Sequence, residues 1–572
     1  ALCERATCAA LRPDAILALA QCAAATSDAP AARALLAQAA AASSDRPLRR
    51  AAAAMLLAEL DPLDPMPLAE VETRSELLPP DLRARMYSLR AQRALHSGRA
   101  EDAWREAAEA MRAADLGRAL LHTERSRATF SERAHAVFDV ALAAALASDN
   151  PTARVYDAIE RLRARSLLES LGGRTLRPHA DDRAHAVERE LRVLYADPSQ
   201  ADRRERVRSL ESELESAEQR RAAASGPLHL LTPPTLPALR ADLVEGTGVV
   251  QFFCAGGRVG ALVHRPDGSA CVPDLLDVHS LRALDRRQTL AVDIRSSHGA
   301  AAARRENPAL GTRLEAFRPI AQHLASCSRI AVVPCRELHS LPLTVALDAA
   351  TDERLLAIII TPGAAAGLAL RRRHAASPHA GTPVLAVGAA DALAPRMDEE
   401  AARVAHAHTI ARVLAGEHAT GDAFLDALPA HELVHVATHC TFDPEFPMAS
   451  RLRLHDRWVA ARELLGRIRP GSSFVLAGCE SGRTSAATAD DRFGLLRALL
   501  AAGASMVIAS AWRLGDQASL DMFTSLHARI AASRSIPPLA AAESLLGLQR
   551  ELRSAAADWH HWHGLFAKGM IP

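Results

Sequence analysis

Two residues in the last third of the chain, His439 and Cys479, are of the types that make a base and a thiol nucleophile. His439 closes the run Glu-Leu-Val-His-Val-Ala-Thr-His (432–439), and Cys479 follows Phe-Val-Leu-Ala-Gly (474–478). Each run is short, apolar and rich in β-branched residues. Each stops at a polar or glycine-bearing turn, which is how a buried parallel strand reads. The carboxyl ends of strands in an open α/β sheet border the crevice where ligands bind, so both side chains are expected to face one cleft. A tight turn at Cys479 would aim its own amide at a developing oxyanion. Spacing alone also fits a buried strand-end thiol and a hydrogen-bonded loop histidine.

The elements around these residues alternate. Strands are expected at 383–388, 409–414 and 505–512, with helices at 397–407, 420–428, 460–467, 491–502, 516–532 and 538–553. Such alternation predicts a mainly parallel sheet with helices on both faces. Further upstream, 248–254 and 258–264 read as strands joined at Ala255-Gly256-Gly257 into a hairpin, followed by a helical stretch at 311–325 and a strand at 329–334.

From residue 1 to about 225 the text is helical, with apolar residues three and four apart and short Pro, Asp, Ser or Gly punctuation. Segments of one helix between breaks imply stacked antiparallel pairs, an α-solenoid. The stretch Leu95 to Met111, with Gly98 at its turn and small residues on one face, resembles a tetratricopeptide unit. Residues 184–224, dense in Arg and Glu with Leu at helical spacing, read as a long helical hairpin with a solvated charged face. Composition shifts at Ser225-Gly226-Pro227 and Thr232-Pro233-Pro234, a linker pattern that closes the helical region.

The bulk properties exclude several classes. With 68 basic and 67 acidic residues in 572, there is no polycationic nucleic-acid footprint, and no apolar run is long enough to span a bilayer. Nine scattered cysteines, an odd number without repeated CxxC spacing, fit a reducing, cytoplasmic setting better than a disulfide scaffold. His435, His439 and Cys440 could be read as metal ligands. On a strand, however, 435 and 439 share a face while 440 points away, and no fourth ligand is indicated, so neither a metal nor another cofactor is expected.

The segments His435-Val-Ala-Thr-His439, Leu476-Ala-Gly-Cys-Glu-Ser-Gly482, Gly494-Leu-Leu-Arg-Ala-Leu-Leu-Ala-Ala-Gly503, Ile508-Ala-Ser-Ala-Trp512 and Trp562-His-Gly-Leu-Phe-Ala-Lys-Gly569 occur in order. Together with Val332-Val-Pro334, Thr361-Pro-Gly363 and Leu385-Ala-Val-Gly388, they resemble the landmarks of the CHAT family, caspase-like peptidases associated with tetratricopeptide repeats. The resemblance runs from about 235 to 570. It implies an all-α tetratricopeptide-like region (1–225), then an α/β caspase-like domain with a degenerate half (227–378) and an active half (379–572).

The activity implied is that of a cysteine endopeptidase with His439 and Cys479 as its dyad and the backbone amides of Cys440 and Cys479 as oxyanion donors. The implied partners are a protein substrate and a regulatory protein bound by the helical repeats. Relatives of this architecture act in bacterial defence, gasdermin-like proteins among their targets. The alternatives are an inactive caspase-like scaffold and a thiol hydrolase acting on small molecules. Cys440 stands where the family has glycine, and would be strained if that position needed positive φ. Asp443, Glu445, Asp490 and Asp491 flank the dyad and are candidates for a pocket that takes a basic substrate side chain. Any one of them is more often simply a loop carboxylate or a helix N-cap, and the position of Asp490-Asp491 directly before an expected helix favours the cap. His560, His561 and His563, set among Trp559 and Trp562, read as packing or surface residues rather than a relay.

Overall fold

The computed structural model describes the chain apart from residues 1–15, 17, 21–22, 24–27, 44–46, 62–63, 65–68, 70, 74, 122–129, 131–132, 164–166, 169–170, 172–181, 197–202, 225–232, 299–313, 378–382, 444–446, 479–493 and 556. It forms two compact units, one within residues 1–161 and one that begins at Leu162 and runs to Pro572.

The first unit is helical: α1 (Ala29–Ala41), α2 (Pro47–Leu60), α3 (Pro80–His96), α4 (Ala100–Ala119), α5 (His135–Ala147) and most of α6 (Pro151–Leu162). Between α3 and α4 the chain turns through Gly98 at φ 70°, a left-handed conformation that glycine adopts without a Cβ penalty. The alanines at 91, 94, 103 and 107 are almost fully buried, so the small face of the 95–111 stretch is where these helices meet.

The second unit is built on one eleven-stranded sheet. Its strands are β1 (Thr247–Ala255), β2 (Arg258–Arg265), β3 (Gly268–Asp277), β4 (Arg329–Val333), β5 (Ala357–Ile360), β6 (Val384–Gly388), β7 (Ala411–Leu414), β8 (Leu433–Ala437), β12 (Ser473–Leu476), β13 (Met506–Ser510) and β14 (Leu565–Gly569). They lie in the order β3-β2-β1-β4-β5-β14-β13-β12-β8-β6-β7. Antiparallel pairing is confined to β1 with β2, β2 with β3 and β13 with β14; the other neighbours are parallel. A helical region followed by a mainly parallel sheet is the architecture expected from the sequence.

Alternation did not foretell β3, β5 or β14. The strand β14 has a lysine and a glycine within five residues, and it enters between β5 and β13 to join the two halves of the sheet. Three short strands, β9 (Cys440–Thr441), β10 (Arg451–Arg453) and β11 (Trp458–Ala460), form a separate small sheet directly after β8.

The charged hairpin is present as α7 (Asp182–Ala196) and α8 (Arg203–Ala224), linked by Arg183–Glu213 and Arg206–Glu190 pairs. Composition groups it with the N-terminal helices, whereas it belongs to the sheet-bearing unit. The reason is its apolar stripe: Val187, Leu191, Leu194 and Leu210 are buried in one cluster with Ala449 and Ala460 of the small sheet's surroundings.

Beneath β8 lies a buried polar cluster. Helices α9 (Met397–His406) and α10 (Asp516–Ala532) pack there. His435 Nε2 lies 3.0 Å from Glu400 Oε1, with both side chains almost wholly buried. His527 stands edge-on to His435 and shares a 2.9 Å hydrogen bond with His408. Burial, then the His435 charge, lowers the pKa of both His408 and His527. On the other side of the unit, burial and then Arg240 push His264 down to about 3.

Above about pH 6.5 these three imidazoles are neutral in both states and impose no penalty. Below it the unfolded chain takes up protons that the fold refuses, so stability falls as pH drops. Calorimetric unfolding at pH 7.5 and 5.5 should therefore give a lower Tm at 5.5; equal values would contradict this account of the cluster.

Candidate active site

Three adjacent parallel strands, β12, β8 and β6, set the site at their carboxyl ends. Val475 is level with His435 and Leu476 with Val436, while Gly388 is level with Ala437. All three strands are buried along their whole length, and their alanine, valine and leucine side chains fill one core. Position along the strand is therefore fixed by burial: a slip of one residue would turn His435 and the valines to the wrong faces.

Beyond β8, Thr438 is buried and His439 is half-exposed, directed toward the loop that follows β6. There its Nε2 lies 3.1 Å from Asp391. The Asp391 carboxylate also accepts from the amides of Leu393 at 2.9 Å and Ala394 at 3.0 Å, an Asx-type turn that fixes its direction. Burial works to raise its pKa, but the hydrogen bonds from His439 and from the two amides outweigh it and hold the carboxyl below its ordinary value. An ionised carboxylate only accepts, so Nε2 of His439 carries the hydrogen and Nδ1 presents a lone pair.

On the other flank, Ala477 N donates to Val436 O at 3.0 Å, and the chain reaches Gly478. A Cβ there would sit 2.5 Å from the Thr438 carbonyl oxygen and collide with Cys440 Sγ, so only glycine fits. The residue before Cys479 thus touches the residues on both sides of His439. Cys479 itself lies outside the described residues, as do Glu445, Asp490 and Asp491. Covalent geometry keeps the Cys479 Cα about 3.8 Å from that of Gly478. The described helix that follows runs from Leu495 to Ala502, with Gly494 before it.

Cys440 pairs with Leu452 at the start of the small sheet. Among the described residues the non-glycine positions with positive φ are Arg336, Asp352 and Glu353, so the strain expected of a cysteine at 440 does not arise. The metal reading has no geometric support either. His435 is turned to Glu400, His439 to Asp391, and Cys440 Sγ toward the Thr438 carbonyl.

Asp443 lies 3.8 Å from Arg203 of the hairpin, and Arg451 of β10 donates to the carbonyl of Tyr195. Arg192 pairs with Glu463 at 3.3 Å. Helices α7 and α8 are in this way bonded to the segment that leaves His439. His560 and His563 pack among Trp512, Trp559 and Trp562, as expected.

Asp391 is the residue that the sequence reading missed. The available signal was a carboxylate just after a predicted strand end, but which strand lies beside β8 is a matter of sheet order.

A family model described as CHAT domain matches residues 309–568. No curated protein matches the chain. Two structures of the Saccharomyces cerevisiae separase–securin complex are similar to it. One is 9% identical over 100% of this chain and 47% of that chain with a TM-score of 0.47. The other is 8% identical over 100% and 48%, with a TM-score of 0.42. The chain spans about half the length of those chains. A complex of Porphyromonas gingivalis RgpB pro- and mature domains is 9% identical over 51% of this chain and 77% of that chain, with a TM-score of 0.34.

Gly478→Ala is expected to destabilise the protein by about 1–3 kcal/mol, because the added methyl must displace backbone rather than a flexible side chain. The urea midpoint should fall accordingly. An unchanged midpoint would contradict the close approach of the two strand ends.

Proposed function

We propose that the CHAT domain is a cysteine endopeptidase in which Cys479 is the nucleophile, His439 its base and Asp391 the residue that orients His439. The observation that carries this reading is the register of β6, β8 and β12, which sets Asp391, His439 and the residue preceding Cys479 at one sheet edge.

The chemistry follows from the tautomer. With Nε2–H donated to Asp391, Nδ1 of His439 accepts the thiol proton as sulfur adds to the scissile carbonyl carbon. The oxyanion forms where the amides of Cys479 and Cys440 converge in the family pattern. Collapse breaks the C–N bond; the imidazolium gives its proton to the departing amine and a thioester remains. Water then attacks the thioester, His439 takes its proton, and the sulfur leaves as thiolate to recover that proton. No cofactor is needed, and Asp391 holds the imidazolium that forms in each half without itself exchanging a proton.

The substrate is a partner protein, and control resides in the helices. Because α7 and α8 bond to the small sheet that begins at Cys440, a partner that shifts the hairpin would alter the segment adjoining His439. This is the route by which a helical region could hold the peptidase inactive until a signal arrives.

Hydrolysis of a diverse peptide library should be abolished by Cys479→Ala and by His439→Ala. Asp391→Ala should lower kcat by about 10- to 100-fold with KM little changed, since it removes orientation rather than binding. Turnover that survives Cys479→Ala would overturn the proposal and leave the domain as a binding scaffold.

A further inference from the structure

Beside the dyad, on the side away from Asp391, the same sheet edge holds a cleft that no step above uses. It lies at the carboxyl ends of β4, β5 and β13 and along β14, and it is continuous with solvent. Register locates it. Val475 is level with Ile508 on the neighbouring strand β13, and Ala511 and Trp512, which directly follow that strand, line the cleft. Neighbouring strands are about 4.8 Å apart, so its mouth is within one side-chain length of the strand end that leads to Cys479.

The walls are firm. Trp512 Nε1 donates to the His560 carbonyl at 2.6 Å, and its ring stands edge-on to Trp559. A Cβ at Gly564 would lie 2.6 Å from that ring, so the glycine is what lets β14 pass beneath it. Leu338, Leu341 and Phe566 supply the rest of the apolar lining.

Toward the base, the chemistry changes. Lys568, the sole lysine of the chain, lines the cleft and is more than nine-tenths buried. It carries the one formal charge among the described lining residues, and none of them is a carboxylate. His563 adds no charge, because burial and then Arg553 push its pKa down to about 3. An ammonium has three N–H donors, so a hydrogen bond within the fold does not exhaust it. A cation at the base of an apolar, carboxylate-free cleft favours one kind of guest: an apolar stem ending in a negative charge.

We propose that this cleft is a substrate subsite for an acidic side chain, Glu or Asp, within a few residues of the scissile bond, and that Lys568 selects it. The proposal rests on the peptidase reading and reverses the preference for a basic side chain expected from Asp443 and its neighbours. Asp443 faces Arg203 of the hairpin, so its charge is already engaged.

The test is a library of internally quenched peptides in which each of the four positions before the scissile bond is Glu or the isosteric Gln. The wild-type protein should cleave the Glu member at one position about 10- to 100-fold faster in kcat/KM, as a charge-assisted hydrogen bond to a buried ammonium implies. Lys568→Met should bring the Glu/Gln ratio to near one, with an unchanged melting temperature showing that it folds. If Lys568→Met does not fold, Lys568→Arg, which keeps the charge, should retain the Glu preference. Cleavage without a Glu preference, or a preference that survives Lys568→Met, overturns the subsite and leaves the peptidase standing. Absence of cleavage of every peptide overturns both.

Discussion

The parallel register of β6, β8 and β12 is the constraint on which everything else depends. Each of these strands is a buried, mostly apolar run whose backbone hydrogen bonds are satisfied by its neighbours. Burial on both faces fixes how far each strand extends before the chain turns. The turns then deliver a carboxylate, an imidazole and the approach to a thiol at one level. Glycine at 478 is part of the same constraint, because the ends of β8 and β12 lie too close for a side chain.

The hydrogen-bonding cluster beneath β8 shows how much the fold accepts to hold that register. Glu400 and His435 are both buried, so removing one partner of their hydrogen bond would leave the other's polar group unsatisfied in the core. His435 is the only polar residue of β8, and it pins the strand to α9 four residues before His439. On the outer side the hairpin α7–α8 adds a second restraint through Asp443 and Arg451. His439 therefore lies between a buried anchor behind it and a helical clamp in front.

The strands that carry His439 and lead to Cys479 were legible in the sequence because short β-branched runs ending at glycine or polar turns have few other uses. His439 and Cys479 were singled out as a proposed dyad for the same reason, helped by landmarks in order along the chain. Asp391 was not, because nothing local in Ala389-Ala390-Asp391 says that β6 is the neighbour of β8. The insertion of β14 between β5 and β13 was equally hidden, since a connection of that length leaves strand order and direction open. The hairpin was recognised as helical but placed with the wrong partner. Its charge pattern fits a solvated helix anywhere, and only the small sheet after Cys440, two to three residues per strand, shows what its apolar stripe covers. Lys568, the sole lysine, reads in the sequence as a consequence of coding bias and acquires meaning from the cleft it lines.

The central claim is that His439 and Cys479 act on one another across adjacent strand ends. It is tested most directly by the rate at which iodoacetamide alkylates Cys479 at pH 7, followed by peptide mapping in the wild-type protein and in His439→Ala. The account predicts that Cys479 reacts faster than the buried cysteines 254 and 335 and loses at least about tenfold in rate when the imidazole is removed. The same rate in both proteins would mean that the two groups do not meet.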